Sequence, residues 1–571
     1  MASHFIRIIS YSDLHGQRVD MSVVRNVLKD FRLSAIVEMI SRLTFLLFRE
    51  EYNQQIQRCL SHQLLDVDNH KKAMKALSKP DCIIFSRMQL LKLLQLAFNI
   101  CKEDGHKTFA EEEYRFEFGR IILIANDEPE PQGNRIIDLL TSLINIAEIS
   151  SVPKETGIAY PMARWHILLL EMDKNTYRPC RNINTDELVK AIFGMSLQEY
   201  YALIFSIVTY LDILEIDVFM SNPSSLFIDT EHFLNVPSMP DLSKQYSQLK
   251  SDIIDLPKMA DEIQKANNCY SKNSFMILRQ YPLVRYRKDL VLCIDPGFLM
   301  NKLSSGLYWA IHKFLRERDK ESLKNFMDCR GRLFEKYVDD LFRRTYPEFT
   351  SVIIPTHYLS PPDFRDSDYG DGIIYSEDGI NIAIIEYKSS LLTAEAKYGG
   401  SVDVLESDIR KKFVERGVDQ LVQKIANFLC RNLRNKRPVP GVTYSNIRNI
   451  FPVLITLEPA MDTFFMNNYL NLKFQSKIKA YQINLGINVH PLVVLTVDDL
   501  ERLEPYLLRR GLWECLHKYL LSDDYKFGSF RTYINNNIYK DGFLQNPFLK
   551  EKFNEVGVDI MSILSNPSQE P

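Results

Sequence analysis

Between residues 21 and 214, apolar side chains recur every three or four positions. The segments 24–48, 90–100, 135–149 and 163–170 show it best, and this is the period of helices that bury one stripe. Ser196 with Glu199, and Asn184 with Glu187, supply start signals, because their short polar side chains can accept from the free N–H groups of a first turn. Residues 128–133 read as a loop between helices. The pattern thins at 222–258, where Pro223, Pro237, Pro240 and Pro257 predict a linker or long loop. Residues 275–278 and 290–294 then read as strands of a small hairpin around the basic run 285–288, and 307–316 resumes a helix.

From Gly331 the rhythm changes. Residues 331–344 predict a helix with Phe334, Val338, Leu341 and Phe342 as its stripe, and 351–354 predict a strand. After a charged loop at 361–369, two β-rich runs at 372–375 and 380–385 flank Ser376-Glu377-Asp378-Gly379, and Asp-Gly is the strongest short hairpin signal. With Asp378 and Gly379 as a two-residue turn, the ladder places Asp371 opposite Glu386. Opposed side chains approach to roughly 4.5–5.5 Å at Cβ, so two carboxylates there require a cation. Lys388, two residues beyond Glu386, shares its face. A long helix over 405–429 and a strand over 451–457 complete the series.

A chain of 571 residues exceeds what one core sustains, and the pattern divides it into a helical region at 1–235, a connecting region at 236–320 and an α/β region at 321–571. The expected class is therefore α+β and multidomain. With 46% hydrophobic and 25% charged residues it reads as a globular protein. The net charge of -3 excludes a global attraction to polyanions. Nucleic-acid contact would have to come from local clusters, namely Arg410, Lys411 and Lys412, and Arg431 with Arg434, Lys436 and Arg437. Nine cysteines without a CxxC pair predict reduced, mostly buried thiols rather than a zinc or disulfide framework. The first residues lack the features of a signal peptide, and the most apolar window, 200–211, stops at Asp212, short of the roughly 20 residues of a membrane span. A cytoplasmic protein without membrane contact is expected.

Residues 6–16 end in Asp13-Leu14-His15-Gly16 and resemble the opening motif of calcineurin-like metallophosphoesterases. Gly370-Asp371-Gly372 fits one later motif of that family, but its GNH(D/E) and GHxH motifs are missing from the chain, so the stretch reads as chance or a surface loop. His166, beside Trp165, reads as a core histidine.

Asp371, the hairpin, and Glu386-Tyr387-Lys388 together resemble the signature of the PD-(D/E)XK nuclease superfamily, whose restriction-endonuclease-like core has the order αβββαβ. The likeness spans about 330–457. It implies a nuclease that hydrolyses phosphodiester bonds with Mg²⁺ or Mn²⁺, with DNA favoured over RNA. Asp371, Glu386 and the Tyr387 carbonyl would be metal ligands, Glu335 on the preceding helix would join them directly or through water, Lys388 would be the catalytic lysine, and Gln420 would orient the site. Gly370 stands where the family name has proline, and Pro362-Asp363 spells the motif in the polar loop, from which a different register would be needed to reach Glu386. Fusions of this kind imply bacterial restriction or anti-phage defence, with the helical half recognising substrate, an activating signal, a protein partner or a second copy. The other reading is a catalytically silent nuclease fold that binds nucleic acid or scaffolds a complex. Residues 392–403, with Gly399 and Gly400, are expected to form a mobile lid.

Overall fold

Among the described residues of the first two hundred positions, helices predominate where apolar residues keep a helical period. The computed structural model describes residues 7–79, 81–127, 144, 158–170, 180, 183–212, 227–229, 252–267, 275–346, 353–355, 371–376, 378–399, 401–435, 446–481, 486–527 and 529–565. The expected segment 24–48 is split into Met21–Leu28 and Leu33–Glu50. The break falls where Phe31 and Arg32 form backbone bridges to Lys107 and Lys102. Ser196 and Glu199 bond reciprocally, and Asn184 accepts from Glu187 N at 3.2 Å, as their sequences suggest. Asp13 closes a capping box with Ser10, while His15 Nε2 bonds Asn69 Oδ1 at 2.7 Å, so both serve local structure. The expected helix 135–149 and loop 128–133 lie outside the described residues apart from Ile144.

A four-stranded sheet in the order Phe227–Asp229, Leu290–Cys293, Leu283–Arg287, Ile253–Asp255 joins the connecting region to one strand from before position 235, so the expected linker 222–258 contributes two strands and, from Leu256, the start of a helix. The hairpin is present, but its first strand is Leu283–Arg287; the run expected as that strand is the short helix Met276–Gln280. A four-residue apolar run fits a buried helix turn as well as a strand, and Ile277 and Leu278 are buried either way.

A second, six-stranded sheet organises the rest. The 26-residue helix α1 (Lys320–Thr345) starts earlier than its apolar stripe, because Asp319 caps it by accepting from Glu321 N and Ser322 N. Strands β1 (Ile353–Pro355), β2 (Gly372–Tyr375) and β3 (Asn381–Lys388) follow as antiparallel neighbours. After the short helices α2 (Ala394–Tyr398) and α3 (Val402–Ile409), a π-helical stretch at Arg410–Val418 leads into α4 (Asp419–Asn435). Strand β4 (Asn449–Thr456) then lies parallel to β3. On its far side it pairs with β5 (Asn488–Val489) and β6 (Val493–Thr496), with helix α5 (Phe464–Ile478) crossing before them. The class is thus mixed and predominantly helical, with α and β elements both present.

The sheet separates two apolar cores. Ile374, Ala383, Ile385, Phe451 and Val453 face a large core that gathers described residues from Ile9 to Ile560, from both sides of positions 235 and 320. Ile373, Ile382, Ile384, Ile450 and Leu454 face a smaller core built with residues of α3, the π-helical stretch, α4 and α5. Helix α6 (Val497–Arg510) carries buried charge into the large core. Arg164, in the helix Ala159–Leu170, pairs with Asp498 at 2.9 Å and Glu501 at 2.7 Å, and the Tyr337 hydroxyl of α1 donates to Glu501 Oε1 at 2.6 Å. Arg531 pairs with Asp498, Asp499 and Asp462.

Two expectations are corrected. Cys180 and Cys329 are joined as a buried disulfide with Cα atoms 5.2 Å apart, whereas the sequence predicts thiols throughout; 149 positions separate them, a distance at which spacing gives no signal. The expected lid is part of the fold. Leu392 N donates to Glu458 at 2.7 Å, Thr393 N donates to Asp408 at 2.8 Å, Lys397 pairs with Glu458 at 3.0 Å, and Leu392 and Ala396 sit in the smaller core. Among the described residues no single helix is long and apolar enough to cross a membrane.

Candidate functional site

The β2–β3 ladder adopts the register counted from the sequence: Gly372 faces Ile385, Ile373 faces Ile384, Ile374 faces Ala383 and Tyr375 faces Ile382. Its connection is longer than two residues. Ser376 N donates to Asn381 O at 2.9 Å, Gly379 N donates to Ser376 O at 2.8 Å, and Gly379 takes a left-handed φ of 68°. Asp378 accepts from Ile380 N at 2.9 Å and Ser376 Oγ from Asn381 N at 2.9 Å, so polar side chains brace the loop. Both turns close on the same pairing, and the far end of the ladder is unchanged.

That far end gathers the charges. Asp371 N donates to Ile385 O at 2.9 Å, and Asp371 Oδ2 accepts from Tyr387 N at 2.8 Å, so the carboxylate is pinned across the mouth of the hairpin. Glu386 continues the face of Ile382 and Ile384 and is only 1% exposed. Lys388 Nζ donates to Glu386 Oε1. Lys424, on α4, places its ammonium between the two acids, donating to Glu386 Oε2 and, at 3.3 Å, to Asp371 Oδ1. Two carboxylates and two ammonium groups therefore form one cluster at the end of a buried strand.

Burial, and then Asp371, push the Glu386 carboxyl upward, while Lys388 and Lys424 pull it back. Burial would strip the charge from Lys424, but Asp371 and Glu386 together outweigh it and hold the ammonium on. Glu335 on α1 lies within reach of this field. Crowding by neighbouring groups and then the Asp371 charge raise it to about 7, although the side chain is exposed. Arg330 donates to the Ser389 carbonyl, which ties α1 to the chain just beyond β3.

The other expected site residues are distributed differently. The Tyr387 side chain leaves by the opposite face, where its hydroxyl donates to Asp339 Oδ1 at 3.0 Å. Burial raises Asp339 to about 7 as well. Gln420 is exposed, one helical turn before Lys424. In the basic trio Arg410 and Lys411 are exposed, whereas Lys412 is turned inward to Leu391 O and Asp408 Oδ1, both at 2.8 Å. Arg431 belongs to α4 at a position whose side chain lies outside the described residues, as do residues 361–370, including Asp363. The π-helical stretch brings Gly417 against the sheet, where a β-carbon would meet Leu454 Cδ1 at 3.4 Å and Lys388 Cγ at 3.8 Å.

The resemblance points to neither Lys424 nor Asp339. Lys424 does carry a signal: it interrupts the stripe Val418, Leu421, Val422, Ile425, and a lysine on a buried face requires carboxylate partners.

Whether a divalent ion suits the cluster depends on its donors. Asp371 Oδ1 and Glu386 Oε2 already converge on one cation, and both are hard oxygens of the kind Mg²⁺ prefers. Among the described residues no group of three or more acidic, histidine or cysteine side chains is gathered to hold a metal. Mg²⁺ needs no such cage, since it keeps several waters and takes one or two carboxylates. The donors therefore fit, on condition that Lys424 gives way. Comparison of the chain with protein-family models, with curated proteins and with solved structures returns no match.

Proposed function

We propose that this chain is a metal-dependent nuclease of the PD-(D/E)XK kind that hydrolyses phosphodiester bonds, with DNA favoured over RNA. The observation that carries the reading is the sharing of one cation by Asp371 and Glu386 across a hairpin, with Lys388 on the same face. The order α1, β1, β2, β3, α4, β4 supports it, since a restriction-endonuclease-like core is expected to read αβββαβ.

Asp371, Glu386 and the Tyr387 carbonyl would hold Mg²⁺ or Mn²⁺, with Glu335 contributing through water. The ion supplies Lewis acidity toward a phosphate oxygen and toward water. Glu386, fixed by burial, holds the Lys388 ammonium at the strand end, where it can stabilise charge developing on phosphate. Glu335, exposed beside the two acids, would be placed to accept a proton. Arg410 and Lys411 provide a sequence-independent contact to the phosphate backbone. The helical first half would recognise substrate, a partner protein or a second copy, and a defence role in bacteria rests on family analogy alone.

The test is incubation of the purified full chain with DNA and with RNA, with Mg²⁺, Mn²⁺ or chelator, beside Lys388→Ala and Asp371→Ala. Cleavage that needs the ion and is lost in both variants supports the proposal; cleavage that survives both removes it. One observation favours the silent-fold reading: Lys424 fills the place between the two acids. Salt-sensitive nucleic-acid binding without cleavage under any ion would select it.

A further inference from the structure

We infer that Lys424 is an exchangeable counter-ion, which occupies the position between Asp371 and Glu386 when no divalent ion is bound and leaves it when one arrives. The inference rests on reading those two acids as metal ligands. It extends that reading by assigning to a residue outside the Asp371, Glu386, Lys388 signature the control of ion affinity.

The argument begins with cost. Asp371 and Glu386 face each other at the end of a strand whose positions 382–385 are all apolar, and Glu386 has almost no access to water. Two carboxylates so placed repel and lose hydration, so the fold needs positive charge there whether or not metal is present. Lys388 answers only one oxygen of one acid, Glu386 Oε1. Lys424 answers the other oxygen of Glu386 and the free oxygen of Asp371, the same pair that would bind an ion. The remaining oxygen of Asp371 is taken by Tyr387 N. Ammonium and divalent ion therefore compete for the same two oxygens and cannot both have them.

Lysine suits such an exchange. Its charge is a point on a flexible four-carbon stem, so the ammonium can swing aside while the carbons stay packed on α4. Helix α4 remains in place, because Leu421, Val422 and Ile425 anchor it in the smaller core. Once displaced, the ammonium stays close to the acid cluster, where it adds to the positive field that a phosphate would meet.

The experiment uses the full chain with Lys424→Gln and Lys424→Arg. Mn²⁺ binding is followed by the loss of the free-ion paramagnetic resonance signal, and thermal midpoints are taken with and without Mg²⁺. The glutamine variant should bind Mn²⁺ roughly tenfold tighter than the natural chain, as expected when one competing charge is removed. It should also melt lower without divalent ions and gain more from Mg²⁺. The arginine variant, still cationic, should keep weak binding. On the natural chain, acylation of Lys424 read by mass spectrometry should be slow without Mg²⁺ and faster at saturating Mg²⁺, a measurement that does not depend on any variant folding. Equal Mn²⁺ affinity in the natural chain and the glutamine variant, or Lys424 labelling indifferent to Mg²⁺, overturns the inference while leaving the metal site standing. Absence of Mn²⁺ binding in both chains overturns the metal site and the inference together.

Discussion

Gly372 lies against the Tyr387 hydroxyl: a β-carbon at position 372 would stand 2.5 Å from that oxygen. The hydroxyl cannot step aside freely, because it donates to the buried Asp339 carboxyl at 3.0 Å. Gly372→Ala is expected to destabilise the chain by about 1–3 kcal/mol, the usual cost of overpacking. Tyr387→Phe removes the obstructing atom, so the double variant should recover part of that stability. Urea denaturation of both single variants and the double measures the coupling; strictly additive effects would show that the close approach has no weight.

Asp339 gives a pH dependence of known sign. Its carboxyl rises from 3.8 to about 7 through burial. As pH climbs from about 4 to 7 the unfolded chain releases this proton while the folded chain keeps it, so the group's contribution to stability falls across that window and then levels off. Asn at 339 carries no such proton. The difference in unfolding free energy between Asp339→Asn and the natural chain should therefore shift toward the variant between pH 4 and 7, and a constant difference would contradict the assignment.

Lys388→Ala should lower ion-dependent cleavage by about 10²–10³-fold, the scale seen when one group that stabilises developing charge is removed. Mn²⁺ binding should persist, because the two acids Asp371 and Glu386 remain. Parallel single-turnover cleavage and Mn²⁺ titration separate the two effects.

The basic trio should divide by function. Lys411→Ala is expected to weaken nucleic-acid binding on any sequence and to make the salt slope shallower by about one, the release of a single counter-ion from one phosphate. Lys412 holds Leu391 O and Asp408, so Lys412→Ala should instead lower the melting temperature. Fluorescence anisotropy at several salt concentrations, set beside calorimetry, distinguishes them.

Much of the site is legible in the sequence because a hairpin converts spacing into proximity. Counting back from Asp378-Gly379 places Asp371 opposite Glu386, and the four-residue loop that actually forms ends on the same pairing. Lys424 lies 36 positions past Lys388 on another element, and only the packing of α4 on the sheet decides which of its polar residues reaches the acids. A choice between Gln420 and Lys424, one turn apart, cannot be made from period alone. The disulfide between Cys180 and Cys329 and the anchoring of 392–399 by Glu458 and Asp408 are likewise products of long-range assembly. The strand expected at 275–278 fails for a different reason, since short apolar runs do not declare their period.

Arg164 belongs to the first third of the chain, yet its carboxylate partners Asp498 and Glu501 lie in the last. A fragment beginning near position 320 would keep Arg531 for Asp498, but among the described residues it would leave Glu501 with the Tyr337 hydroxyl and without its arginine, a buried acid beside the Asp498 carboxylate. The half that carries Asp371 and Glu386 is therefore not a portable cassette. Any transplant of it to another scaffold must bring along an arginine at the height of residue 164, or replace Glu501 by a side chain that asks for none.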